Sequence, residues 1–138
     1  MLRLLVPATE EPVSLAEAKT HLVLLHDSDD VLITAFIAAA REVVEQQTGY
    51  ALVEASYAWS PIGRGRTLPP IEPAVVTSEW DDYPILFTTV PGPAPAALRA
   101  AILLLVGDLY ANREASVEGL SENPAVDRLV FPYRRVLP

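Results

Sequence analysis

The stretch Pro12–Gly49, PVSLAEAKTHLVLLHDSDDVLITAFIAAAREVVEQQTG, decides the fold, because it specifies two helices and the turn between them. Ser14 has the chemistry of an N-cap: its hydroxyl can accept from a free backbone N–H. Glu17, at the N3 position, can reach back to complete a capping box. Leu15, Ala18, Leu22 and Leu25 recur at helical spacing and predict a first helix over 14–25. Asp27, Ser28 and Asp29 are all capping types, and Asp29 with Asp30 puts negative charge at the positive end of a helix dipole. A second helix is therefore expected over 29–48. Leu32, Ile33, Phe36, Ile37, Ala40, Val43 and Val44 give it a broad apolar face, and Thr48-Gly49 closes it, since glycine accepts the left-handed conformation of a C-terminal cap. With so short a link the two helices must pack as antiparallel neighbours.

Downstream of this pair the period changes. ALVEASYAWS alternates in polarity and predicts a half-buried strand over 51–60, with further strands over 74–80 and 85–90. Prolines surround these runs and restrict them to edges or turns. PGPAP, residues 91–95, is a stiff connector into AALRAAILLLVGDLYANREA, a helix expected over 96–114. Leu98, Ala101, Ile102, Leu105, Val106 and Leu109 form one stripe, and Ala100, Leu103 and Leu104 carry the apolar surface nearly all round. Such a helix is either the centre of the core or is covered on one side by another subunit. Asn123-Pro124 is a cap followed by an N1 proline, which starts a short last helix bearing Val126, Leu129 and Val130. The fold class is thus mainly α: an antiparallel helix pair, a long apolar third helix and a short C-terminal helix. A small antiparallel sheet or hairpin is inserted in the middle. The division expected is a domain over 1–122 and a short helix with a C-terminal tail over 123–138.

Composition excludes several functions. At 138 residues and 51% hydrophobic, the chain suits one domain with a real core. A net charge of −8 disfavours a protein that coats nucleic acid by neutralising phosphates. The absence of cysteine removes disulfides and thiolate zinc sites. The N-terminal apolar patch, ended by Pro7, is too short for a signal segment or a membrane span. Arg99 and Asp108 interrupt the third helix before it reaches spanning length.

Candidate chemistry is sparse. His21 and His26 lie five apart, not the four that would align them on one helix face, and no metal site follows. The DSDD run lacks the Gly and distal Glu of a calcium loop, so capping explains it better. The Gly63-Arg64-Gly65-Arg66 loop has neither the length nor the Lys-Ser/Thr of a phosphate loop. It is a solvated turn or, through Arg64 and Arg66, a contact to DNA phosphates or an acidic partner. No serine or histidine stands in a catalytic context, and nothing argues for an enzyme or a cofactor. Tyr57, Trp59, Trp80 and Tyr83 belong to the sheet, as packing or as interface anchors. In the tail, Phe131, Tyr133, Arg134 and Arg135 dock either on their own domain or on a partner.

EPVSLAEAKTHL, the DSDD turn, DVLITAFIAAAREVVEQQTGYAL, AILLLVGDLYANREA and the PYRR end together resemble the head-tail connector (adaptor) proteins of tailed phages, of the HK97 connector type. Members occur in prophages and in phage-derived gene transfer agents. The resemblance covers about half of the chain, at its helical ends, and leaves the sheet and the GRGR loop unmatched. It implies a non-enzymatic structural protein of the virion or phage-like particle neck, assembled in the bacterial cytoplasm away from membranes. About twelve copies would close a head-to-tail ring under the portal. The ring would extend the channel through which DNA passes without sequence-specific binding, and offer a platform to stopper or tail-completion proteins. On this reading Tyr133, Arg134, Arg135, Val136 and Leu137 are expected to bind the portal. Leu103, Leu104, Arg41 and Glu45 are expected at the subunit interface. The alternative is a small non-enzymatic helical interaction or regulatory module that binds one protein partner.

Overall fold

The computed structural model describes residues 2–60, 69–78, 84–112 and 123–135. The helical part follows the expected plan. Helix α1, Leu15–Leu22, begins on a complete capping box, in which Ser14 Oγ accepts from the Glu17 N–H at 3.1 Å and the Glu17 carboxylate accepts from the Ser14 N–H. It ends earlier than the expected Leu25, because Val23 turns into the left-handed conformation (φ 58°) and donates back to the Lys19 and Thr20 carbonyls. A β-branched residue seldom adopts that conformation. Leu24 donates to the same Lys19 carbonyl, which closes the turn.

Helix α2, Asp30–Thr48, runs back along α1. Its cap residue Asp29 makes no side-chain bond to the helix end; its carboxylate instead accepts from the Tyr110 hydroxyl at 2.6 Å. The expected stripe is buried at Ile33, Ile37, Ala40 and Val44. Helix α3, Ala96–Ala111, crosses α2 and turns Leu98, Ala101, Ile102 and Val106 into the same core. Helix α4, Pro124–Val130, adds Val126 and Val130 to it. The cap of α4 forms as its sequence specifies: Asn123 Oδ1 accepts from the Ala125 N–H at 3.0 Å, while its Nδ2 donates to Asp108 on α3.

The sheet is larger than expected and starts at the other end of the chain. Strand β1, Leu2–Val6, pairs antiparallel with β2, Ser56–Trp59; β2 pairs with β4, Ile85–Thr89; and β4 pairs with β3, Ala74–Val76. The order is β1-β2-β4-β3, so the N-terminal apolar patch is an edge strand and the sheet is not purely a middle insertion. The register slips between Leu4 and Val6, where β1 bulges. Tyr57 stacks on Phe87 at 5.3 Å and forms, with Ala51, Ala55 and Ile71, a second small core beside the helical one.

Residues 51–55, expected within the first long strand, instead stitch the two cores together. Ala51 donates to Glu72, which in turn donates to Gly49. The buried Thr89 hydroxyl donates to the Val53 carbonyl at 2.7 Å and accepts from the Ala55 N–H at 2.9 Å. These backbone groups have no ladder partner at that point, so a side chain on β4 supplies one. Among the described residues no helix is long and apolar enough to cross a membrane.

Candidate docking surfaces

The basic, aromatic end of the chain is positioned by α4. The helix runs into a single 3-10 turn, Phe131–Tyr133, and the backbone then extends over the C-terminal end of α2. Tyr133 meets Tyr50 edge to face, with ring centres 5.7 Å apart. The Arg135 N–H donates to the Thr48 carbonyl at 3.0 Å, its Nη1 donates to the Pro69 carbonyl at 2.9 Å, and its Nη2 lies 3.6 Å from Glu72. Its aliphatic stem passes over Gly49, the one glycine among the described residues with a left-handed backbone: φ is +70°, and a Cβ there would meet Arg135 Cδ at 2.9 Å. The tail question therefore divides by residue. Tyr133 and Arg135 are held by their own domain, whereas Arg134 is exposed and only 3.9 Å from Asp127. Val136 and Leu137 lie outside the described residues.

Arg41 and Glu45 come together on one side of α2, as their spacing of four dictates, and both are turned inward. Arg41 Nη1 donates to Glu45 at 2.8 Å, and its Nε and Nη2 donate to the two oxygens of Glu11. Glu45 also accepts from the Leu52 N–H at 3.1 Å. Burial opposes the charge on Arg41, but the hydrogen bonds it donates to Glu11 and Glu45 outweigh it and hold its pKa above the usual value. Burial pushes the Glu45 carboxyl up, and the bonds from Arg41 and Leu52 offset this only in part. The network clamps the N-terminal segment and the start of the sheet onto α2, so the ionic groups of both residues are engaged within the chain.

On α3, Leu103 and Leu104 are half-buried at the edge of the helical core, flanking the fully buried stripe. Arg99 near the start of the same helix bonds Glu17 and donates to the Pro12 carbonyl at 3.3 Å, which fixes α3 against the α1 cap. Arg64 and Arg66 lie outside the described residues, as do Trp80 and Tyr83. Tyr57 is buried and Trp59 half-buried, so these two serve as sheet packing.

Two surface features were not read from the sequence, and a third separates Phe131 from the tail residues it was grouped with. The side chains of β1 are exposed along its whole length, including Leu4 at 48%. Val23, Leu25 and Val31 make an apolar tip at the α1–α2 turn. Phe131 stands out at 71% exposure instead of joining Tyr133 on the domain. The run LRLLV held only a weak signal for the first, since Val6 is its one β-branched residue and its pairing partner is far away in sequence.

These features define a mainly helical subunit with a sheet on its flank and several apolar patches left in solvent. Residues 12–128 match the family described as phage gp6-like head-tail connector proteins, and the chain belongs to that family. It is a structural connector protein. The crystal structure of bacteriophage HK97 gp6 is 25% identical, with a TM-score of 0.55, over 89% of this chain and 93% of that one. The fold is shared more closely with a chain in the neck of an empty gene transfer agent particle, at 18% identity and a TM-score of 0.74, over 99% of this chain and 97% of that one. A chain in the virion of a native gene transfer agent particle gives 21% identity and a TM-score of 0.68 over the same shares. No curated protein matches the sequence.

Proposed function

We propose that this chain is the adaptor at the neck of a tailed phage-like particle of the gene transfer agent kind. About twelve copies close a head-to-tail ring beneath the portal, prolong the DNA channel and present a platform to a stopper or tail-completion protein. The observation that carries this reading is the family match over residues 12–128, joined to a fold shared along nearly the whole chain with a subunit of a particle neck. The net charge of −8 fits a channel wall that DNA slides past without adhering. The work is architectural rather than catalytic.

Within the ring, the half-buried Leu103 and Leu104 supply apolar surface for a neighbour, while Arg41 and Glu45 stiffen α2 from inside. Portal contact falls to the end of the chain, from Arg134 through Val136 and Leu137, with Tyr133 and Arg135 anchoring that segment on its own domain. Electron micrographs of particles made with and without the protein test the assignment. Its loss should leave filled or leaking heads without tails; normally tailed particles would overturn it. Truncation after Arg135 should keep the helix content and abolish attachment to portal-bearing capsids, and unchanged attachment would move the portal contact elsewhere.

A further inference from the structure

Between β1 and α2 the molecule leaves an open groove of about 420 Å³. One wall is the β1 pair Leu2 and Leu4; the other is the row Ala38, Glu42 and Gln46, spaced by four along one side of α2; Tyr57 lies in the floor. Ala38 is the one apolar side chain that α2 contributes to the lining, and the two leucines remain 39% and 48% exposed. Three carboxylates, Glu11, Glu42 and Glu45, line it against the single guanidinium of Arg41, so it carries two more negative groups than positive ones. Glu42 is the exposed member and stands at the rim. An apolar cleft with an acidic rim suits an apolar side chain accompanied by a cation.

The described surface has two prominent apolar protrusions, and only one has that character. The tip at Val23, Leu25 and Val31 carries Asp27, Asp29 and Asp30 against the single cation Lys19, a net negative charge that the groove would repel. Phe131 has a positive excess around it: Arg128 stands one turn before it on α4 and Arg134 follows it, both exposed, against one carboxylate, Asp127, which lies 3.9 Å from Arg134 and leaves Arg128 as the cation available to a partner. A phenylalanine ring buries roughly 150–250 Å² when it is fully enclosed, which makes it an effective interface anchor. Phe131 and the groove are separate patches of one chain, and contact between unlike patches is what propagates a head-to-tail ring.

We propose that Phe131 of one copy seats in the groove between β1 and α2 of the next copy, with Arg128 beside Glu42. This contact rests on the ring reading above and assigns that ring its two complementary faces. It also accounts for an N-terminal strand whose leucines are left in water in the isolated subunit.

The chain has no cysteine, so the variant carrying both Leu4→Cys and Phe131→Cys has only two thiols. A short bismaleimide applied to the full-length double variant on portal-bearing capsids should give a ladder of covalent multimers. A mixture of the two single variants should stop at dimers, and Leu25→Cys with Phe131→Cys should give no ladder. Rings that form without the Leu4–Phe131 ladder overturn this contact and leave the ring standing. Absence of any ring on the portal with the unmodified chain overturns both. The charge pair gives a second test that leaves the core untouched. Glu42→Arg should weaken ring assembly by about tenfold or more, and adding Arg128→Glu should restore it. A double variant no better than Glu42→Arg alone overturns the pairing.

Discussion

Arg41 and Glu11 are joined by a two-pronged ion pair: Nε donates to one carboxylate oxygen at 3.0 Å and Nη2 to the other at 3.1 Å, across thirty positions of sequence. The same guanidinium spends its remaining edge on Glu45, whose side chain is only 2% exposed. One cation thus neutralises a buried helix carboxylate and moors the segment that leads from β1 into α1.

Replacing Arg41 by alanine should leave Glu45 buried without its cation and release the N-terminal segment. Breaking such a pair by removing one partner costs about 3–5 kcal/mol, which chemical denaturation will measure. Arg41→Lys should recover only part of this, because a lysine ammonium cannot make the fork to Glu11 and reach Glu45 at once. A loss under 1 kcal/mol for Arg41→Ala, within the effect typical of exposed pairs, would show that the clamp adds nothing beyond packing.

Gly49→Ala should destabilise the protein by about 1–2 kcal/mol from the left-handed backbone alone. The added methyl would also meet Arg135 Cδ at 2.9 Å and the Pro70 carbonyl at 3.0 Å, so the tail must shift. Adding Arg135→Ala should relieve the side-chain contact but not the backbone cost. Denaturation midpoints of the two variants separate these contributions.

The α1–α2 turn should respond to pH. Lys19 Nζ lies 2.5 Å from Asp27 and 3.0 Å from Asp30. Its hydrogen bond holds Asp27 below the ordinary 3.8, and the bonds to Asp27 and Asp30 hold Lys19 above the ordinary 10.5. The Asp27 contribution to stability is present above its unfolded value and is lost as pH falls through the folded one. The Lys19 contribution is present below its unfolded value and is lost as pH rises through the folded one. Thermal unfolding of wild type against Lys19→Met should therefore differ between about pH 4 and pH 10 and converge outside that window. High salt should narrow the difference, because Asp27 is largely exposed.

Much of the helical architecture was legible because its determinants are local. Ser14 with Glu17, Asn123 with Pro124 and the stripe from Ile33 to Val44 act within one or two turns of chain, and each forms as its spacing specifies. The sheet was less legible. Leu2 finds Trp59, and Ala74 finds Thr89, only after the chain has closed, and edge strands this short carry weak alternation. The segment 51–55 alternates like a strand, yet Glu45, Glu72 and Thr89 take up its backbone groups.

The sequence by itself determined the caps, the helix faces, the acidic balance and, through Pro12–Gly49, the resemblance to connector proteins. Tertiary structure alone decided that Arg41 and Glu45 look inward, that Tyr133 and Arg135 lie on their own domain, and that Phe131 and the β1 leucines remain in solvent. The reason is physical. A cap or an amphipathic face depends on neighbours within a few residues, whereas the side of a residue that meets water depends on which distant element arrives to cover it.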